Sequence, residues 1–543
     1  MAEGNRRQTA KSKKNAPLAV SNSISMLLLL FALLGLTKQY GENVMGYMGI
    51  ALSCYYLLIL FFSESLSKTL TKLVKTRARR EQYQNAKTVF HSAFFLSLIW
   101  GILIFALFFF GGNLISDKLL HAKLVVLPLR ILGLAFIAET LMQCIGSYLA
   151  GIGMVKAVKH QLYLERLVIF GVSFILSAVF REYGEKVSAL LRVEHYESAY
   201  TAMGVSIGVL CGAVTGLLYL AVLYGLVTRS NRQLFQNEHG RSRMQHENFI
   251  TLLLRGQASS CFMQILKYGL FFLNIILYCA FQSEAEYGAI GSLFGKVLPL
   301  CMIFAMILLV SQGKFARKIV TPFRNDDIHT AREQLYGSFH YLVICGLPIA
   351  VYLCVMAENL TDFIFEKNTA FTVSALQCGS FLLVLIPMAL LADTVLEQMG
   401  NKGIAFVIVF VTGVLQTIGF VVLLKQTKFG IMSIVYTQLF FWGIWMVLSF
   451  GILVRQIKGR MDVIHLFLIP MLCSAISGLI ILFLSKALAT ILSNGIICGI
   501  MLLVAFVVYW LLILLFRGIT KQDIKMLPWG VFLQHLGELL RVF

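Results

Sequence analysis

Residues Ser63–Phe94 read SESLSKTLTKLVKTRARREQYQNAKTVFHSAF, and residues Ser311–Leu342 read SQGKFARKIVTPFRNDDIHTAREQLYGSFHYL. Each stretch leaves an apolar run, passes through a segment dense in Lys and Arg, and reaches a polar kink. The kink carries Glu81 in the first copy, Asp326 and Asp327 in the second; Ala86–Lys87 and Ala331–Arg332 then open the next apolar run. A hinge repeated some 245 residues later implies two similar lobes.

A second repeat points the same way. GSYLAGIGMVKA (Gly146–Ala157) and LEQMGNKGIAF (Leu396–Phe406) each close an apolar run on paired glycines, Gly151 and Gly153 or Gly400 and Gly403, and restart at once. Glycine at such a place permits a tight helix-turn-helix with close backbone approach. Six apolar runs separate the copies, so the repeat is parallel, with the lobes related about the membrane normal.

Composition sets the environment. The chain is 58% hydrophobic and 13% charged, and apolar runs long enough to cross a bilayer recur along nearly its whole length. The reading is an all-α polytopic membrane protein of about 14 transmembrane helices. The net charge of +20 would suggest nucleic acid in a soluble chain, but Lys and Arg fall on alternate sides of the spans with a roughly three-to-one bias. That bias places both termini in the cytoplasm and calls for no nucleic-acid partner. The eleven cysteines form no CxxC pair and lie mostly in spans, and the ten histidines show no ligand spacing, so no metal, cofactor or catalytic site is expected.

The expected organisation is a basic cytoplasmic tail (1–20), an N-lobe of helices 1–6 (21–228), a cytoplasmic linker (229–249), a C-lobe of helices 7–12 (250–456), helices 13 and 14 (457–517) and a cytoplasmic tail (518–543). The largest loops are 64–89, 181–199 outside and 228–248 inside, none long enough for a domain.

Three stretches resemble the stage V sporulation protein B family of the multidrug/oligosaccharidyl-lipid/polysaccharide (MOP) exporter superfamily, which includes MurJ-type lipid II flippases. They are SLSKTLTKLVKTRARREQYQNAKTVF (Ser65–Phe90), LRILGLAFIAETLMQCIGSYLAGIGMVKAVKHQLYLERLV (Leu129–Val168) and RGITKQDIKMLP (Arg517–Pro528). The resemblance implies a V-shaped, MATE-like pair of lobes around a central cavity, with the last two helices forming a groove for a lipid tail. It also implies a function: flipping an undecaprenyl-pyrophosphate-linked saccharide to the outer leaflet by alternating access, with protons, sodium or the membrane potential as the candidate drives. Membrane lipids and the lipid-linked saccharide are then the partners, and the protein is a monomer. Where relatives carry arginines on the first helix, this chain offers only Lys38, which shifts the expected cationic site to the second lobe.

An ionisable group at membrane depth costs on the order of 2.5–3.5 kcal/mol, so each needs a reason. Arg255 and Lys267 on the seventh helix and Lys296 on the eighth are the candidate pyrophosphate-binding cations. Arg255 can snorkel from the cytoplasmic end, whereas Lys267 lies deeper. Glu64 with Lys68, and Asp393 with Glu397, are four-residue pairs at cytoplasmic helix ends. They are candidates for gating or ion coupling, against the plainer reading of Asp393 and Glu397 as a solvated helix end. Arg130, Glu139, Glu165 and Arg166 carry both signs within the first lobe and read as structural ion pairs. A cation-coupled multidrug antiporter of the same superfamily is the alternative, followed by a membrane-embedded glycosyltransferase or polymerase.

Overall fold

The computed structural model describes residues 24–192, 195–230, 248–282, 286–366, 369–457, 462, 464–489, 492–519, 530 and 534. The expected tail 1–20, most of the linker 229–249 and nearly all of the tail 518–543 lie outside the described residues. Among the described residues thirteen helices are long and apolar enough to cross a membrane, and the shorter apolar helix Ile24–Tyr40 precedes them. Among the described residues there is no β-strand. The protein is a multi-pass, all-helical membrane protein.

Numbered from Ile24–Tyr40 as span 1, the others are span 2 (Glu42–Ala78), span 3 (Tyr83–Phe110), span 4 (Lys123–Gly151), span 5 (Val155–Leu191), span 6 (Tyr196–Arg229) and span 7 (Phe249–Phe281). There follow span 8 (Tyr287–Arg324), span 9 (Ile328–Val355), span 10 (Ala370–Gln398), span 11 (Lys402–Gln426), span 12 (Met432–Gln456), span 13 (Ile464–Leu488) and span 14 (Asn494–Leu515).

Residues 64–89 are not a loop. Span 2 continues through a π-turn, Ile59–Glu64, into the cationic helix Ser65–Ala78. That segment stays helical because Leu66, Leu70 and Val74, spaced four apart, bury one face against Val89, Phe90, Tyr148 and Leu149. Full burial of such side chains contributes roughly 1.5–3 kcal/mol each, while the lysines keep the opposite face. The second cationic helix, Gln312–Arg324, buries Phe315 and Ile319. Both lie 245 positions after Leu70 and Val74.

The two elbows end alike. The amide of Gln82 donates to Arg77 O at 3.0 Å, and the amide of Asp327 donates to Pro322 O at 3.1 Å. The residue before each, Glu81 or Asp326, is left-handed at φ 59°. This six-to-one closure satisfies carbonyls that the helix end would leave open. The second repeat closes the same way: Met154 N to Leu149 O at 2.9 Å, and Asn401 N to Leu396 O at 3.1 Å. There the left-handed residues are Gly153 (φ 105°) and Gly400 (φ 102°). Of the four glycines singled out from sequence, these two serve the turn.

The segment 181–199 also departs from expectation, being helical almost throughout. Span 5 runs 37 residues to Leu191 and span 6 starts at Tyr196. At 1.5 Å per residue span 5 is about 55 Å long, well beyond the ~30 Å of hydrocarbon. Arg181 bridges Glu185 (3.1 Å) on span 5 and Glu197 (2.9 Å) on span 6, closing the hairpin. Below it Gly204, Gly208 and Gly212 of span 6 press against Ser177, Ser173 and the Glu165–Ile169 turn of span 5, with no room for a side chain.

Packing divides the chain into two compact units, Met1–Gly295 and Lys296–Phe543. Span 7 packs within the first: Gly256 abuts Thr69, Gln257 Nε2 donates to Phe62 O at 3.1 Å, and Arg77 stacks 5.3 Å over the Phe249 ring. In the second, spans 13 and 14 join span 9 through Ile344, Cys473, Tyr509 and Trp510.

Candidate functional site

The buried charges fall in separate places. In the first unit, spans 4 and 5 bring Glu139, Glu165 and Arg166 into one polar cluster. Arg166 Nη2 lies 3.7 Å from Glu165 Oε1 and its side chain is hydrogen-bonded to Tyr56 of span 2. Gln161 Nε2 donates to Glu165 Oε2 at 2.6 Å, and Gln143 Nε2 donates to Glu139 Oε1 at 2.7 Å. Ser63 Oγ, in the π-turn of span 2, donates in turn to Gln143 Oε1 at 2.8 Å. The Glu165 side chain is only 5% exposed. Behind the cluster, Gly212 of span 6 lies against Ile169 and the Glu165 carbonyl.

Arg130 stands apart from this group. Its guanidinium is 5.6 Å from the Phe109 ring and donates to Asn113 Oδ1 at 3.4 Å. Nine residues of helix, about 13.5 Å of rise, separate it from Glu139 on the same span. The expected foursome is therefore a threesome with a distant fourth member.

Lys267 and Lys296 each occupy a π-turn, Ile265–Gly269 of span 7 and Leu293–Val297 of span 8. Both are buried, at 8% and 3% exposure. A π-turn accommodates one extra residue in the helix and interrupts its i→i−4 ladder, a deviation that recurs at functional sites. In the second unit the Lys296 ammonium sits 4.7 Å over the Phe365 ring, at the end of the short helix Ala357–Phe365. Such a placement shelters a cation that hydrocarbon would penalise. Arg255, near the start of span 7, is exposed, which fits a snorkelling side chain.

Glu64 and Lys68 form an ion pair at 2.9 Å, with Lys68 Nζ also 5.8 Å from the Tyr268 ring. Both members are substantially exposed, so the pair adds well under 1 kcal/mol. Asp393 is 3% exposed, which overturns the solvated helix end for that residue; Glu397, one turn on, is half-buried. Beyond them Arg324 Nη2, from the second elbow, caps the exit of span 10 by donating to Gln398 O at 2.7 Å. The first elbow meets the exit of span 4 similarly, where Thr71 Oγ1 donates to Ser147 O at 3.3 Å. No cluster of three or more His, Cys, Asp or Glu side chains suited to a metal occurs among the described residues.

No protein-family description and no curated protein matches the chain. Solved structures do. The lipid II flippase MurJ in an inward closed conformation matches at TM-score 0.61 and 13% identity, over 92% of this chain and 98% of its own. An inward-facing multidrug resistance MATE transporter of the MOP superfamily matches at 0.59 and 14%, over 82% and 98%. A eukaryotic MATE transporter, AtDTX14, matches at 0.56 and 14%, over 83% and 98%. The chain has the fold of the MOP-superfamily transporters.

Within this MOP fold, sequence reasoning found the charged members of the first-unit cluster and missed the polar ones. Gln143 lies four residues after Glu139, and Gln161 four before Glu165. That spacing puts each amide beside its carboxylate on one helix face, so both were readable. Ser63 and Tyr56 were not, because only packing brings span 2 against spans 4 and 5.

Proposed function

We propose that the protein is a transporter that moves an undecaprenyl-pyrophosphate-linked saccharide from the inner to the outer leaflet of the bacterial cytoplasmic membrane by alternating access, with both termini cytoplasmic. The observation that carries this reading is the burial of Lys267 and Lys296 in π-turns. A lysine buried in an apolar span marks a substrate or ion pathway by default, and a pyrophosphate is the anionic part of this substrate class. The wider match supports it too. MurJ aligns with 92% of the chain against 82% for the MATE transporter, a difference comparable in length to spans 13 and 14. Those two spans are the proposed seat of the lipid tail. The protein needs no cofactor, performs no covalent chemistry and works as a monomer among membrane lipids.

A second reading, a cation-coupled multidrug antiporter, draws on the MATE likeness and on the Glu139–Glu165 pair. A leaflet assay separates them. Full-length protein in liposomes should expose a fluorescent undecaprenyl-pyrophosphate saccharide to an external probe and should not export cationic dyes. Dye export without saccharide movement would establish the antiporter instead.

A further inference from the structure

The Glu139–Glu165–Arg166 cluster carries more acid than base. Its two carboxylates share one guanidinium, and the further acid that acts on Glu139, Glu64, is already matched by Lys68 at 2.9 Å. With both glutamates ionised the cluster would hold one uncompensated negative charge inside the first unit, at membrane depth. A buried unpaired charge is among the costliest groups a protein can hold, and the usual resolution is neutralisation.

We propose that this cluster is a proton-binding site that holds one exchangeable proton, carried by Glu139. The inference rests on the reading of the chain as a transporter for its use, as the coupling site of the cycle, but not for its existence. Geometry selects the residue. Glu165 has the guanidinium of Arg166 at 3.7 Å and the Gln161 amide at 2.6 Å, both of which stabilise its anion. Glu139 has one neutral donor, the Gln143 amide at 2.7 Å. The Glu165 side chain is 5% exposed, whereas Glu139 and Arg166 are half-buried. The charged groups acting on Glu139 are Glu165 and Arg166 of span 5 and Glu64 at the end of the span 2 π-turn; Tyr55 and Tyr56 of span 2 face the same cluster.

Taking up the proton has a local consequence. A carboxylate Glu139 accepts from Gln143 Nε2, which leaves Gln143 Oε1 to accept from Ser63. A protonated Glu139 has an O–H to donate, and the Gln143 amide, turned over, can accept it through Oε1. Ser63 then loses its exclusive partner. One proton is added, no covalent bond breaks, and the change is delivered to the π-turn of span 2. The neighbouring carbonyl of that turn, Phe62 O, holds Gln257 of span 7 at 3.1 Å. The proton is thereby linked to the span that bears Lys267.

Infrared difference spectroscopy on the full-length protein in membranes tests this without any transport substrate. Acidification should produce a protonated-carboxyl C=O band that Glu139→Gln abolishes and Glu165→Gln moves to lower pH, because the remaining carboxylate then has Arg166 to itself; Glu139→Asp, kept as a second variant against misfolding, should retain it at a shifted position. Replacing choline by sodium at fixed pH should leave the band unchanged. A band that survives Glu139→Gln overturns the assignment, and a band erased by sodium makes the site one for a metal cation instead. The leaflet assay reads the transport reading separately: a Glu139 band with no saccharide movement would sink the flippase and leave the proton site standing.

Discussion

Glu81 and Asp326 share one backbone conformation, left-handed at φ 59° in each. Each is followed by an amide that closes back five residues onto its elbow helix. The match is chemical as well as geometric, because an acidic side chain occupies a place that most helices give to glycine. Each residue therefore carries strain, since L-residues pay roughly 1–2 kcal/mol in the left-handed region.

Glu81→Gly and Asp326→Gly should therefore raise stability, by up to about 1 kcal/mol each. Gly153→Ala and Gly400→Ala should lower it by at least about 1 kcal/mol. An added Cβ at either glycine meets nothing within 4 Å, so the cost is conformational alone. Thermal unfolding in detergent, compared in rank order across the four variants, checks both signs.

Asp327 caps span 9 by accepting from the Thr330 amide at 3.1 Å. These hydrogen bonds hold its carboxyl below the usual carboxylate range. A depressed value in the folded state means the stabilisation is full above the unfolded pKa and fades as pH falls through the folded one. Asp327→Ala should lower the apparent Tm at neutral pH, and the gap to the parent should close under strong acid. A gap that stays constant with pH would assign the effect to helix propensity.

Lys267→Ala and Lys296→Ala should each abolish complementation in a flippase-depleted strain while the protein still reaches the membrane. Membrane fractions assayed beside growth separate loss of function from loss of protein. Full growth of both variants would show that neither lysine serves the substrate.

The glycines of span 6 hold it close against span 5, which carries Glu165. Gly208→Val would drive its side chain into Ser173, backbone included, and such overpacking costs typically 1–3 kcal/mol. Gly171, on span 5, has open space around an added Cβ, so Gly171→Ala should be neutral or slightly stabilising. Apparent Tm of the two variants, measured side by side, discriminates close packing from a general sensitivity of these helices.

The apolar runs and the elbow repeat were legible because they depend on local pattern. Bilayer thickness fixes how many apolar residues make a span, and helix periodicity fixes which elbow residues face inward. Extrapolation failed at residues 181–199, whose mixed charge reads as a loop. There the helices persist because Gly184, Gly204 and Gly208 let spans 5 and 6 pack closely along their length, with Arg181 joining Glu185 and Glu197 across the end. It failed again at Asp393, where four-residue spacing from Glu397 says which face is shared but not what covers that face.

The sequence by itself determined that this is a many-spanning helical membrane protein with a repeated elbow, since both follow from solvent and from short-range backbone chemistry. Only the tertiary structure decided that Arg130 leaves the charged group and that two glutamates must share one arginine. It alone revealed that Lys267 and Lys296 sit in π-turns. These outcomes depend on how closely neighbouring helices approach, and that distance is set by small residues on partner spans far away in the chain.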